Sequence, residues 1–230
     1  MSTLASTSTP TSFKQDLAAT ALHLAAALPA AAAQTIDAGI ARTEAAGLAT
    51  QALTAGQQAP NFTLPDATGQ PQTLANLLEN GPVVLTFYRG NWCPYCNVQL
   101  RAYQQALPKL ASHGAKLVAI SPQTPDFTGL TASEKELTFP VLSDVGNKVA
   151  RQYGLAYDVG TEVADTLRSV GIDLAAHNGT TDNELPLTAT FVIDTDGAIS
   201  WAEVIANFKD RPDPATILAV LAQRPVALPA

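Results

Sequence analysis

Three stretches of the chain are almost continuously apolar and rich in β-branched or aromatic side chains: Pro82–Tyr88, Lys116–Ile120 and Ala189–Ile193. In the first two, runs of four to eight such residues without polar alternation predict strands covered on both faces, and the third reads as one arm of a hairpin. Between the first two, Pro94 to His113 has helical composition, opens on the proline that favours a first helical turn, and carries Pro108 as an expected bend. Strand, helix and strand in that order make a βαβ unit. Short strands are expected at Ala59–Leu64, where Pro60 confines the segment to an edge, and at Pro140–Leu142, followed by a helix over Lys148–Tyr153. Asp196-Gly197 between Ala189–Ile193 and Ala198–Ala202 is a strong hairpin signal, and a last helix is expected from Pro214 to Arg224.

Upstream the pattern differs. Residues 1–12 are mostly Ser, Thr and Pro and bury little, as a tail would, and 225–230 read as a second tail. From Phe13 to Gly56 the chain is rich in Ala, Leu and Gln, and Pro29 and Gly47 divide it into two helices. One offers Phe13, Leu17, Leu22 and Leu24 as an apolar stripe, the other Ile36, Ile40 and Leu48. Such thin stripes need cover, from the chain's own domain or from a second copy in a homodimer. The organisation expected is therefore a tail at 1–12, a helical extension at 13–56, an α/β domain at 57–224 and a tail at 225–230.

Composition narrows the functions. A hydrophobic fraction of 47% supports a core. A net charge of −7 argues against nucleic acid as a partner. The run Leu17–Ala33 is built from Ala, is interrupted by His23 and Pro29, and reads as a helix of a cytoplasmic protein rather than as a membrane span or an export signal.

The chain has two cysteines, which cannot form a disulfide scaffold, and both lie in Cys93-Pro94-Tyr95-Cys96. The motif falls where a buried strand meets a helix N-terminus. There the helix dipole and free backbone N–H groups favour thiolate over thiol, and two intervening residues bring both sulfurs within disulfide reach. A zinc site lacks its other ligands, since no second Cys pair exists and His23, His113 and His177 are far apart in sequence. The residues point to redox chemistry, with neither metal nor cofactor.

The stretch Phe87-Tyr88-Arg89-Gly90-Asn91-Trp92-Cys93-Pro94-Tyr95-Cys96, with Phe62–Asp66 upstream and Val118–Gln123, Leu142–Asp144, Leu185–Pro186 and Asp194–Gly197 downstream, resembles the alkyl hydroperoxide reductase/thiol-specific antioxidant group. More narrowly it is similar to peroxiredoxin-like proteins carrying Y-R-G-x-W-C-P-Y-C. The resemblance covers about residues 56–224 and implies a thioredoxin-like α/β fold with an N-terminal helical extension. It implies a thiol peroxidase that reduces hydrogen peroxide or organic hydroperoxides through a cysteine sulfenic acid and a Cys93–Cys96 disulfide, recycled by thioredoxin or by glutathione and glutaredoxin. The alternative is a thioredoxin- or glutaredoxin-like disulfide oxidoreductase with Cys93 as nucleophile.

Peroxiredoxin alignment nominates Cys96 as the peroxide attacker and Cys93 as resolver, whereas exposure at the helix start nominates Cys93. Thr188 stands where thioredoxins place a cis-proline and many peroxiredoxins a peroxide-polarising arginine. That leaves Arg89, at the usual proline position, as the nearest cation by sequence. Trp92 is expected as a lid over the sulfurs, with Thr86 and Tyr95 flanking the motif, Gln123 and Thr124 facing the site, and Pro186 as a strand-entry proline.

Overall fold

The computed structural model describes residues 12–224. Both expected tails lie outside them, apart from Ser12, whose side chain caps the first helix. The elements are α1 (Phe13–Ala27), α2 (Ala30–Ala45), a short 3-10 turn (Leu48–Gln51), β1 (Thr63–Pro65), β2 (Pro71–Thr73), α3 (Leu74–Leu78), β3 (Val83–Phe87), α4 (Pro94–Ser112), β4 (Lys116–Ser121), α5 (Pro125–Glu134), β5 (Val141–Ser143), α6 (Lys148–Gln152), β6 (Ala156–Asp158), α7 (Thr161–Ser169), α8 (Leu174–Asn178), β7 (Glu184–Pro186), β8 (Thr188–Ile193), β9 (Ile199–Ile205) and α9 (Pro214–Ala222).

The three apolar runs form the middle of a five-stranded sheet in the order β5-β4-β3-β8-β9. β3 runs parallel to β4 and antiparallel to β8, pairing Leu85 with Val118 on one side and with Phe191 on the other. Every residue of β3 and β8 is buried, as a strand between two layers requires. Alternation along β3 divides the core. Val83, Leu85 and Phe87 join Phe191, Tyr153 and Leu142 on one face; Val84 and Tyr88 join Leu117, Val192, Ile217 and the two cysteines on the other. This is the thioredoxin-like α/β arrangement, with the N-terminal helices added to it.

α4 is fixed to the sheet by a buried polar chain as well as by apolar contact. Gln99 donates to the Tyr103 hydroxyl at 3.0 Å, that hydroxyl lies 3.1 Å from the Thr190 hydroxyl, and Thr190 lies 3.1 Å from Thr86. Thr86 therefore serves the sheet-to-helix register and not the sulfurs.

The N-terminal helices break at Pro29 and stop before Gly47, whose φ of 62° is open to glycine without strain. α1 packs on α4 and α2 on α7. Leu17 and Leu24 cover the core face that holds the cysteines, and Ile36 covers a smaller cluster with Val163 and Leu167. The stripes thus find cover within the chain. Leu22 departs from expectation: it is 75% exposed, because at 3.6 residues per turn it projects from nearly the opposite side of the helix to Leu17 and Leu24. Among the described residues no helix is long and apolar enough to cross a membrane.

The short elements β2, β6 and β7 and the helices α3, α5 and α8 carry no clear periodic signal in the sequence, whereas α7 buries Val163, Ala164 and Leu167 on one face, a helical spacing the sequence reading passed over. β6 and β7 form a separate two-stranded ribbon in which Pro186 lies opposite Ala156.

Replacing Thr190 by Val keeps its shape and removes the hydroxyl that bridges Tyr103 and Thr86. Urea unfolding of Thr190→Val is expected to show a loss of about 1–2 kcal/mol, because the buried Tyr103 and Thr86 hydroxyls each lose one partner while keeping Gln99 and the Ala189 carbonyl respectively.

Candidate active site

β3 ends at Phe87, and the loop Arg89–Trp92 carries the chain to the N-terminus of α4. The Asn91 side chain and backbone hold this loop. Asn91 N–H donates to Gln123 Oε1 at 3.0 Å, Gln123 Nε2 donates to Asn91 Oδ1 at 2.9 Å, and Asn97 Nδ2 donates to the Asn91 carbonyl at 2.7 Å. Gly90 has φ 154°, and the Trp92 indole lies over it so closely that a Cβ there would come 2.4 Å from Nε1. Cys93 is the N-cap of α4, Pro94 occupies the first turn, and Cys96 follows within that turn.

Both sulfurs are buried: Cys93 is 1% exposed and Cys96 is fully enclosed. The exposure expected for Cys93 at the helix start is therefore absent, because α1, α2 and the loop after β9 close over it. The two thiols are free rather than bonded. Burial alone pushes the Cys93 thiol up. The Cys96 thiol and backbone N–H donating to it, with the Arg89 and Arg211 guanidiniums nearby, outweigh burial and hold it well below the ordinary thiol range. Cys96 is pushed well above that range by burial, by its hydrogen bond to Cys93 and by the negative charge on Cys93. The two shifts run in opposite directions, with the anion favoured on Cys93 at the helix cap.

The two guanidiniums are the other half of the electrostatics. Arg211 Nη2 donates to Cys96 Sγ at 3.3 Å and lies 3.9 Å from Cys93 Sγ. Arg89 is 3% exposed, with its guanidinium 3.7 Å from the Phe208 ring centre and 4.8 Å from that of Trp92. Among the described residues neither arginine forms an ion pair with a carboxylate. Arginine does not deprotonate in proteins, and an isolated buried charge is costly. Stacking on two aromatic faces offsets part of that cost for Arg89, and the sulfur anion supplies the countercharge for both.

Cys93, unlike Cys96, borders an apolar cavity of about 260 Å³, lined also by Arg89, Trp92 and Tyr95 and by residues of α1, α2 and α7. Asp37 of α2 and Lys209, which follows β9, form an ion pair at its edge.

The structure brings together Cys93, Cys96, Arg89, Trp92 and Tyr95, with Gln123 holding the loop between them. Trp92 is a wall of the cavity and a stacking partner of Arg89. Thr188 does not join them through its hydroxyl, which donates to the Ile205 carbonyl at 3.3 Å, and Thr124 caps α5. Sequence reasoning missed Arg211, 115 residues from Cys96. It lies in Asp210-Arg211-Pro212-Asp213, a polar, proline-containing connection with no signal beyond the presence of a cation. Among the described residues no three His, Cys, Asp or Glu side chains are grouped to hold a metal ion.

Comparison with known proteins agrees with this architecture. The AhpC/TSA family model matches residues 55–202. A chloroplastic peroxiredoxin Q of Sedum lineare is 35% identical over 107 residues, covering 46% of this chain and 57% of that protein. The chloroplastic peroxiredoxin Q of Triticum aestivum is 32% identical over 131 residues, covering 57% of this chain and 60% of its own. The chain thus spans little more than half the length of these plant relatives. The crystal structure of peroxidoxin BcpB from Mycobacterium tuberculosis superposes with a TM-score of 0.61 at 28% identity, covering 75% of this chain and 99% of that one. With the family match running from the end of the helical extension into β9 and enclosing both cysteines, the chain belongs to the AhpC/TSA family.

Proposed function

We propose that this protein is a thiol-dependent peroxidase in which Cys93 attacks the hydroperoxide and Cys96 resolves the product. The observation that carries the assignment is the position of Cys93: it is the helix cap, it borders the cavity, and it feels the charge of two buried guanidiniums that, among the described residues, have no carboxylate partner. The names and fold of its relatives, the peroxiredoxins Q and BcpB, support the same chemistry. Peroxiredoxin alignment favours Cys96 as attacker, but Cys96 is enclosed, its thiol is pushed up by burial, and it does not border the cavity.

In the first step Cys93 Sγ forms a bond to the terminal peroxide oxygen and the O–O bond breaks. Its electron pair leaves on the other oxygen, which takes a proton from the Cys96 thiol to become water or an alcohol. Arg211 and Arg89 stabilise the negative charge as it moves from sulfur to oxygen, as fixed cationic donors do in a dry site. The Cys96 thiolate then attacks the Cys93 sulfenic acid, the disulfide forms, and hydroxide leaves to be protonated by solvent. A dithiol such as thioredoxin, or glutathione with glutaredoxin, returns two electrons and two protons. A cytoplasmic setting, where those reductants are kept reduced, fits this cycle.

Sulfenic-acid trapping with dimedone after one equivalent of hydrogen peroxide assigns the roles. Cys96→Ser is expected to label at Cys93 and Cys93→Ser to remain unlabelled; labelling confined to Cys93→Ser would reverse the assignment.

The ionisation of Cys93 gives a pH dependence. Its folded ionisation lies well below the ordinary thiol range, so the rate of peroxide attack should climb with pH on the acid side and be level at neutrality. Arg211→Met removes one of the charges that lowers it. In stopped-flow measurements the rising limb is expected to move to higher pH, with attack at neutral pH slowed about tenfold or more. An unmoved limb would show that Arg211 does not stabilise the thiolate.

A further inference from the structure

Hydrogen peroxide is small and polar, and the cavity beside Cys93 is neither. At about 30 Å³ per water-sized group, its volume of about 260 Å³ holds roughly nine of them. Its polar lining is Cys93, Arg89 and the Asp37–Lys209 ion pair, whose two charges neutralise one another, so that Arg89 is the cation left beside the sulfur. The rest of the lining is largely hydrocarbon: Leu24 of α1 and Leu28 just after it, Ile36 of α2, Leu167 of α7, and Ile172. An apolar chamber bordered by a nucleophile and a cation suits an amphipathic small molecule whose polar end reacts. The helices that supply the roof precede residue 55, where the family match begins. The roof therefore belongs to this chain's extension and not to the shared domain.

We propose that the cavity receives the organic body of a bulky apolar hydroperoxide, with its –OOH group at Cys93, and that the α1–α2 hairpin selects such substrates over hydrogen peroxide. The inference rests on the peroxidase reading and adds its substrate class. The chemical step is the one already described: sulfur bonds to the terminal oxygen, the O–O bond breaks, and the organic part departs as an alcohol. The hairpin provides apolar surface for the organic group, which hydrogen peroxide lacks, so it discriminates by binding alone. The Asp37–Lys209 ion pair ties α2 to the segment after β9 at the edge of the chamber, which holds the roof over the sulfur.

The test compares kcat/KM for cumene hydroperoxide and hydrogen peroxide, with dithiothreitol as reductant, in the wild type and in Ala25→Phe and Ala33→Phe. Both substitutions add bulk from the roof. The wild type is expected to prefer cumene hydroperoxide by about tenfold or more, and each variant to lose most of that preference. A second readout needs no turnover. In Cys96→Ser protein, 2-phenyl-2-propanol should slow alkylation of Cys93 by iodoacetamide, and Ala25→Phe in the same background should abolish the protection.

Turnover of hydrogen peroxide with no preference for cumene hydroperoxide, and no protection by the alcohol, would overturn the specificity while leaving the peroxidase reading intact. Turnover of neither peroxide would remove the peroxidase reading and the proposal together. A preference that survives both phenylalanine variants at full size, in proteins whose thermal unfolding matches the wild type, would overturn the role given to the hairpin.

Discussion

Two arginines buried without carboxylates dominate the structure around the sulfurs. Arg89 and Arg211 are side chains that cannot shed their charge, and both are nearly sealed from water. Such an arrangement is stable only if something anionic lies near, and the sulfur pair is what lies there. The helix cap then decides which sulfur carries the charge. Cys93 accepts from the Cys96 thiol and backbone N–H, which lowers it, while burial and the hydrogen bond to Cys93 push Cys96, deeper in the turn, up. The lowering of one thiol and the raising of the other are a single electrostatic event. Truncating either arginine would disturb both residues.

The rest of the fold keeps that cluster dry and correctly spaced. The hydroxyl and amide chain Gln99–Tyr103–Thr190–Thr86 sets α4 on the sheet, and Gln123 and Asn97 clamp Asn91 so that the loop approaches the helix in one geometry. Gly90 has no Cβ, so the Trp92 indole can lie across it and form one side of the stack that holds the Arg89 guanidinium. Phe208, contributed by the segment after β9, forms the other side. Residues from three distant parts of the chain thus share one small volume of low polarity, where each charge–charge interaction is stronger than in water.

The helical extension completes this enclosure. Its apolar residues are too sparse to form a core of their own: no residue of α1 is buried. They are sufficient as a cover, because Leu17 and Leu24 rest on the layer that already contains α4 and the cysteines. Thin stripes on a helix can therefore mark a wall of a ligand chamber as readily as a subunit contact, and only the surface they meet distinguishes the two.

Local rules suffice for much of this molecule. The three central strands, α4 with its proline start, the β8–β9 hairpin at Asp196-Gly197 and the break at Pro29 follow from apolar run length, proline geometry and glycine conformation, all of which act within a few residues. The Cys93-Pro94-Tyr95-Cys96 motif at a strand-to-helix junction follows in the same way, and with it the expectation of redox chemistry. Between residues 125 and 186, α5, β6, α8 and β7 are stabilised by neighbours from elsewhere in the chain, and their own residues carry little pattern. Arg211 is invisible for the same reason: a cation in a polar connection becomes a partner of Cys96 only when β9 returns along β8 and brings its following segment over the end of α4. Exposure of Cys93 and of Leu22 is likewise set by what packs above them. The sequence by itself determined the sheet, the helix and the reactive pair, because those depend on short-range sterics and hydrophobic pattern; which charges surround the sulfurs, and what covers them, was decided by tertiary structure, because electrostatics and burial depend on distance through space and not along the chain.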